Sequence, residues 1–307
     1  MKWFTALVLA VLYISSAVTM VTLSQSANTQ EREVIRTLSG DQVSLLLFFN
    51  QLQQGRVGLI AVEAPDAVQI TGQFGGRPLA FYAIEEAPTT HYGLITARID
   101  QPIRDNYELM ISVSFADGSR EDLRAPVSVS SGGFIQQEVT LLPDQMNLIN
   151  PDVETAELER IFALTEPVTP ERMWDENSFI VPVNAPLTSP FGAVRIFNGT
   201  FNTIHTGWDF QAQIGRPMLA SAAGEVVFAG PLDIRGNYVL IDHGLGIYSG
   251  YAHLSVIHVA QGQQVHAGQI IGQVGSTGRS SSAHAHVEFV VNNQWIDGAD
   301  FIRLSPP

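Results

Sequence analysis

The sequence predicts an all-β protein of two domains, with an N-terminal immunoglobulin-like β-sandwich, a short helical connector and a C-terminal antiparallel β-sheet domain. Three observations predict it. Alternating apolar runs recur between residues 42 and 141, divided by glycine turns. Residues 142–178 hold the segment with helical periodicity. From residue 179 onward glycine is dense, strands are short, and seven of the eight histidines gather.

The chain starts with Lys2, an uncharged, mostly apolar run of 21 residues from Trp3 to Leu23, and the small residues Ser24 and Ser26. This is the pattern of an export segment over residues 1–27. A bilayer is spanned by about 20 apolar residues, so a cleaved signal peptide and a retained inner-membrane anchor both stay open. Either way the mature chain is expected to be periplasmic or extracellular. Residues 28–41 are polar and read as a spacer.

Between 42 and 141, runs such as "RVGLIAVEA", "YGLITARI", "YELMISVSF" and "FIQQEVTLL" alternate with turns at Gly75-Gly76, Asp117-Gly118 and Gly132-Gly133. His91, the single histidine here, reads as structural. In the connector, Leu158, Ile161, Phe162 and Leu164 fall at helical spacing behind early acids. Two prolines and several charges then form a linker. Residues 179–307 show strand and Gly-turn signals without a clear amphipathic helix.

Composition narrows the function. Net charge is −14, divided as −12 over residues 1–179 (11 basic, 23 acidic) and −2 over 180–307 (five Arg, seven acids). No basic patch exists to displace phosphate counterions, so no nucleic-acid partner is expected. The absence of cysteine excludes disulfides, thiolate metal sites and cysteine nucleophiles.

Three short stretches carry the chemistry. "HTGWDF" sets His205 and Asp209 where both can reach one point, and imidazole and carboxylate are ordinary zinc ligands. "HAHVEF" projects His284 and His286 from one face of a strand. "GYAHLS" puts His253 in an apolar, aromatic setting. Each has a plain alternative: a surface pair, a solvated strand face, a core histidine.

Their order, together with "SPFGAVR", "GRPMLASAAGEVVFAG", "VLIDHGLGIYSGYAHLS" and "GQQVHAGQIIGQVGSTGRS", resembles the lysostaphin-type (LytM-like) zinc endopeptidases, a family of peptidoglycan hydrolases. The resemblance covers roughly residues 179–307, making this a LytM-like peptidase domain by expectation. It implies one zinc ion per chain on His205, Asp209 and His286, with His253 and His284 as the catalytic histidines. Three protein ligands leave one zinc position for water. Which of the two histidines is the base stays open. Arg195 lies where the family often has arginine, and either binds a substrate carboxylate or forms a structural ion pair. Glu288 is either a partner that orients a ligand histidine or an ordinary strand acid.

The sequence departs from the family pattern at Ser282-Ala283 and Ala285, where Gly-Pro and leucine are usual, and at Ser249, usually threonine. None of these removes a ligand. The loop before His205 has Phe197 and Phe201 but lacks the tyrosine of some glycyl-glycine-cutting relatives, which leans the substrate away from pentaglycine bridges. His243 reads as a structural strand-end residue, and His258 and His266 as surface. The expected activity is hydrolysis of peptide cross-links in peptidoglycan, with cell-division or wall-synthesis proteins as candidate partners. A catalytically weak wall-binding or amidase-activating relative is the alternative. A third reading, adhesion through the sandwich, calls for exposed ligand loops that the sequence does not display.

Overall fold

The structure, a computed structural model, describes residues 33–141, 143–175 and 179–307. The export segment and the first part of the spacer lie outside the described residues. Among the described residues no helix is long and apolar enough to cross a membrane.

Period-2 alternation builds the N-terminal region. Along Arg104–Phe115, Leu109, Ile111 and Val113 are buried, and along Arg120–Ser130 Ala125, Val127 and Val129 are buried. These strands sit in a five-stranded sheet ordered Leu52–Gln53, Arg120–Ser130, Arg104–Phe115, Ala67–Phe74, Arg77–Pro78. A second five-stranded sheet runs Arg36–Ser39, Ser44–Leu47, Val57–Glu63, Ala87–Thr96, Phe81–Ile84. Both contribute to one core, which joins Leu45, Ile60 and Val62 to Leu109 and Val127.

The second sheet is apolar on its other face too. Ile60 and Val62 enter the core just described, whereas Leu59 and Leu94 join Trp174, Phe179 and Phe289 in a second one. The boundary expected near residue 141 is therefore no break in packing, and Arg32–Pro307 is one compact unit. Asn292 Nδ2 donates to Leu94 O at 2.8 Å and Asp297 N to Gly55 O at 2.7 Å, so main-chain groups also cross the junction. The Gln136–Val139 strand, read from sequence as the last of the sandwich, pairs in parallel with Val194–Phe197 instead. Its exposed–intermediate alternation offers no apolar face to a sandwich core.

The connector forms helix α1, Pro151–Thr165. Asn150 caps it, its side chain accepting from Asp152 N, and Pro151 occupies the first turn where no N–H is missed. Asp152 and Glu154 there complement the helix dipole. The buried residues are Glu157, Ile161 and Thr165, spaced four apart on one face.

Residues 187–296 supply an eight-stranded sheet whose central order is Gly207–Phe210, Ala285–Val291, Ile247–Leu254, Gly236–Asp242. Ala285–Val291 and Ile247–Leu254 are buried along their whole length, with Ser249, His253, His286 and Glu288 as buried polar side chains among apolar neighbours. A short helix that periodicity missed, α2 (Gly298–Leu304), closes the chain. Seven residues are too few for a periodic signal, and its Asp297 cap is the readable cue.

Candidate metal centre

Strand register gathers the site. In the antiparallel pair of Gly207–Phe210 and Ala285–Val291, Asp209 stands opposite His286. On the other side of Ala285–Val291, His286 is opposite Ala252, the neighbour of His253. His205 enters from the turn after Phe201–Ile204, and His284 sits just before the Ala285 strand, bridged to Gly275. All five expected residues therefore meet. His205, Asp209, His253 and His286 are buried, and the His284 side chain is 14% exposed.

Each histidine has one nitrogen committed to an oxygen acceptor. His205 Nδ1 donates to Pro190 O at 2.8 Å, His253 Nδ1 to Thr277 O at 2.7 Å and His284 Nδ1 to Ser282 O at 2.7 Å. A carbonyl only accepts, so these rings must be protonated at Nδ1, and the Nε2 lone pairs face inward. His286 is turned the other way, with Nε2 3.2 Å from Glu288 Oε1 and Nδ1 inward. Three acceptor atoms then crowd together. His205 Nε2 and Asp209 Oδ1 are 3.1 Å apart, His286 Nδ1 and Asp209 Oδ1 2.8 Å, and His205 Nε2 and His286 Nδ1 3.0 Å.

Such a cluster needs a positive charge at its centre. In the metal-free chain a proton on His286 can supply it, because Asp209 and Glu288 outweigh the effect of burial and raise that ring's pKa. A divalent cation would do so with all three lone pairs at once, displacing that proton. His205, Asp209 and His286 thus fit a metal ion. His253, His284 and His286 form a second, overlapping group.

The rest of the site is poised for neutral imidazoles. Burial lowers His205 to about 4, lowers His284, and lowers His253 well below the usual range, with His284 and His286 adding to the last. Burial alone would raise the Asp209 carboxyl, but His205, His286 and Arg195 outweigh it and hold it well below the usual range. His253 adopts φ +57°, a left-handed conformation that costs roughly 1–3 kcal/mol in a non-glycine residue. Its N–H bond to Arg235 O at 2.8 Å and its ring bond to Thr277 O hold it there. Thr277 can reach it because Gly278 lies against Gly236; a Cβ at Gly278 would sit 2.4 Å from Gly236 N. His284 Nε2 is buried without a hydrogen-bond partner among the described residues, 3.5 Å from Asp209 Oδ1.

Arg195, placed by sequence near a substrate carboxylate or in an ion pair, donates Nη2 to Asp209 Oδ2 and, at 3.0 Å, to Ser189 Oγ. This leaves Oδ1 to face the histidines. Glu288 is fully buried and accepts from Arg235, Tyr238 and Thr206 as well as facing His286. Sequence reasoning missed Arg235, Arg279, Glu154 and Glu157. An acid at position 157, on the same stripe as Ile161 and Thr165, was the available signal.

A cavity of about 600 Å³ opens on this centre, lined among others by His205, His253, His286 and, from α1, Glu154, Leu158 and Phe162. A neighbouring cavity of about 440 Å³ reaches His284 and Asp209. Arg195, Phe197 and Arg279 line both. The Arg279 guanidinium stacks 4.6 Å from the Phe197 ring centre and pairs with Glu154.

His243 is away from the site, fully buried between Ala223 O (2.8 Å) and Ser249 Oγ (2.7 Å), and burial lowers it to about 4. Above pH 6.5 both folded and unfolded chains hold it neutral. Below that the unfolded chain takes up the proton first, so stability falls as pH drops from 6.5 to about 4. The loss approaches about 3 kcal/mol at 1.36 kcal/mol per pH unit. His243→Gln should flatten this slope in urea unfolding at pH 7 against pH 5; an unchanged slope would refute the assignment. His258 and His266 are exposed.

The fold and the site define a mostly β-sheet protein with a buried histidine–aspartate centre fit for a metal. Residues 203–298 match Peptidase family M23, so this part of the chain is an M23 peptidase domain. It is 47% identical over 121 residues to the DD-carboxypeptidase/endopeptidase Mpg of Neisseria meningitidis, covering 39% of this chain and 28% of that relative. It is 43% identical over 90 residues to the peptidoglycan DD-endopeptidase ShyA of Vibrio cholerae, covering 29% of this chain and 21% of the relative. The chain thus spans under a third of the length of these curated relatives. A Pseudomonas aeruginosa crystal structure, described as a candidate M23 peptidase, aligns over 82% of this chain and 95% of its own with 26% identity and a TM-score of 0.61. That likeness extends well beyond residues 203–298.

Proposed function

We propose that this chain is an exported, zinc-dependent endopeptidase that hydrolyses peptide cross-links of peptidoglycan. The observation that carries it is the convergence of His205 Nε2, Asp209 Oδ1 and His286 Nδ1, with two further histidines beside them. The relatives' names add the substrate, and the D,D cross-link is the bond we expect.

His205, Asp209 and His286 would hold zinc. Bound there, zinc lowers the pKa of water toward 7 and polarises a carbonyl. The chain's own residues do the remaining work. His253 and His284, with Nδ1 committed to carbonyls, keep Nε2 free to accept a proton from the attacking water. The same nitrogen, once protonated, hydrogen-bonds the developing oxyanion or returns the proton to the leaving amine. Arg195 and Glu288 hold Asp209 and His286 in orientation. The divided cavity suits an extended peptide lying across the centre.

We assign residues 1–27 to export; of the spacer expected over 28–41, Arg36–Ser39 instead pairs with Ser44–Leu47 as an edge strand of the second sheet. The two N-terminal sheets, Arg36 to Ser130, are read as an immunoglobulin-like sandwich, 142–178 as the connector and 179–307 as the peptidase domain, to which Gln136–Val139 is joined by its pairing with Val194–Phe197. Partners beyond peptidoglycan would be wall-synthesis or cell-division proteins.

Purified sacculi test the activity. The chain should release cross-link cleavage products identifiable by mass spectrometry, and a zinc chelator should stop release. His284→Ala should cut turnover by roughly 10²–10⁴-fold while leaving metal content intact. Unchanged turnover would remove His284 from the mechanism, and no release by the intact chain would reject the peptidase reading.

A further inference from the structure

A chain of buried charges runs from the connector helix to the metal centre. Glu157, on α1, accepts from Ile234 N at 2.6 Å, Arg235 N at 3.1 Å and Arg235 Nη1 at 3.0 Å. Arg235 donates in turn to Glu288, Nε to Oε2 at 2.9 Å and Nη2 to Oε1 at 2.6 Å. Glu288 Oε1 is 3.2 Å from His286 Nε2. The four residues are 1–6% exposed. Glu157 and Glu288 thus clamp one planar guanidinium, and its fork leaves little freedom to rotate.

Stability alone gives a weak reason for this arrangement. A buried ion pair commonly does no better than apolar side chains of equal volume, because desolvation cancels the attraction. What the chain does supply is orientation. The Glu288 carboxylate is fixed by Arg235, and it sets the tilt of the His286 ring and keeps the proton on Nε2, so that Nδ1 faces the centre. Arg235 itself is fixed at its backbone and its side chain by Glu157, with the Arg235 carbonyl receiving the His253 N–H.

We infer that Glu157 is a positioning residue for His286, acting through Arg235 and Glu288, so that helix α1 is a working part of the metal centre. The inference rests on His286 being a metal ligand. Glu157 lies outside residues 203–298, so the family match does not extend to it.

The test uses the full chain and a readout other than turnover. Glu157→Gln is compared with Glu159→Gln, which removes the same charge from an exposed position of α1. Zinc affinity is measured by chelator competition, and site geometry by the visible absorption of the cobalt(II)-substituted protein. Glu157→Gln should bind zinc about tenfold more weakly, within the range for outer-sphere partners, with a changed cobalt band. Glu159→Gln should match the parent. A folded Glu157→Gln chain with parental affinity and spectrum overturns the inference. Should that variant fail to fold, Glu157→Asp, which keeps the charge but withdraws the carboxylate by one methylene, is read by the same two outcomes. His286→Ala separates the two layers. If it too binds zinc as the parent does, the ligand assignment has failed; if it loses zinc while Glu157→Gln does not, only the positioning role has.

Discussion

His286→Ala is expected to abolish stoichiometric zinc binding and, with it, hydrolysis of sacculi. The ring is central to the centre. Its Nδ1 lies 2.8 Å from Asp209 Oδ1 and 3.0 Å from His205 Nε2, and it belongs to both candidate ligand groups. Truncation leaves His205 and Asp209, two ligands where a catalytic zinc takes three. The affinity loss should therefore exceed the roughly 10–100-fold that follows from disturbing an outer-sphere partner. Metal analysis of the purified chain checks it. About one zinc per chain retained in His286→Ala would show that His286 is not a ligand.

Glu288→Leu should be the most destabilising single change near the site. Glu288 is 1% exposed and accepts from Arg235, Tyr238 and Thr206. Leucine fills the volume but leaves Arg235 with Glu157 as its remaining carboxylate partner, and leaves the Tyr238 and Thr206 hydroxyls without their acceptor. Breaking a buried ion pair on one side costs roughly 3–5 kcal/mol. The exposed Arg120–Asp122 pair, with side chains 61% and 48% accessible, sets the contrast, since such pairs contribute under about 1 kcal/mol. Urea unfolding at pH 7 measures both. A loss below about 1 kcal/mol for Glu288→Leu would mean that water reaches this network.

The candidate ligand and catalytic residues were legible as a set because their chemistry is carried by residue type. Imidazoles and a carboxylate in short motifs, "HTGWDF", "GYAHLS" and "HAHVEF", announce themselves, and the strand period already put His284 and His286 on one face. Helix α1 was legible from Leu158, Ile161, Phe162 and Leu164, and the β-rich remainder from its alternation. The Gln136–Val139 strand was legible as a strand but not in its pairing, because alternation does not name a partner.

By itself, then, the sequence determined the β-sheet class, the helical connector and the five residues of the centre, since each depends on local pattern or side-chain chemistry. Only the tertiary structure decided how they are held. It set Asp209 opposite His286 by register, turned Arg195 onto Asp209, and packed both faces of the Val57–Glu63 sheet. It also brought Glu157 to Arg235, 78 residues away in the chain, where one guanidinium joins the connector to the site. Contacts of that separation arise from sheet register and core packing, which no local pattern encodes.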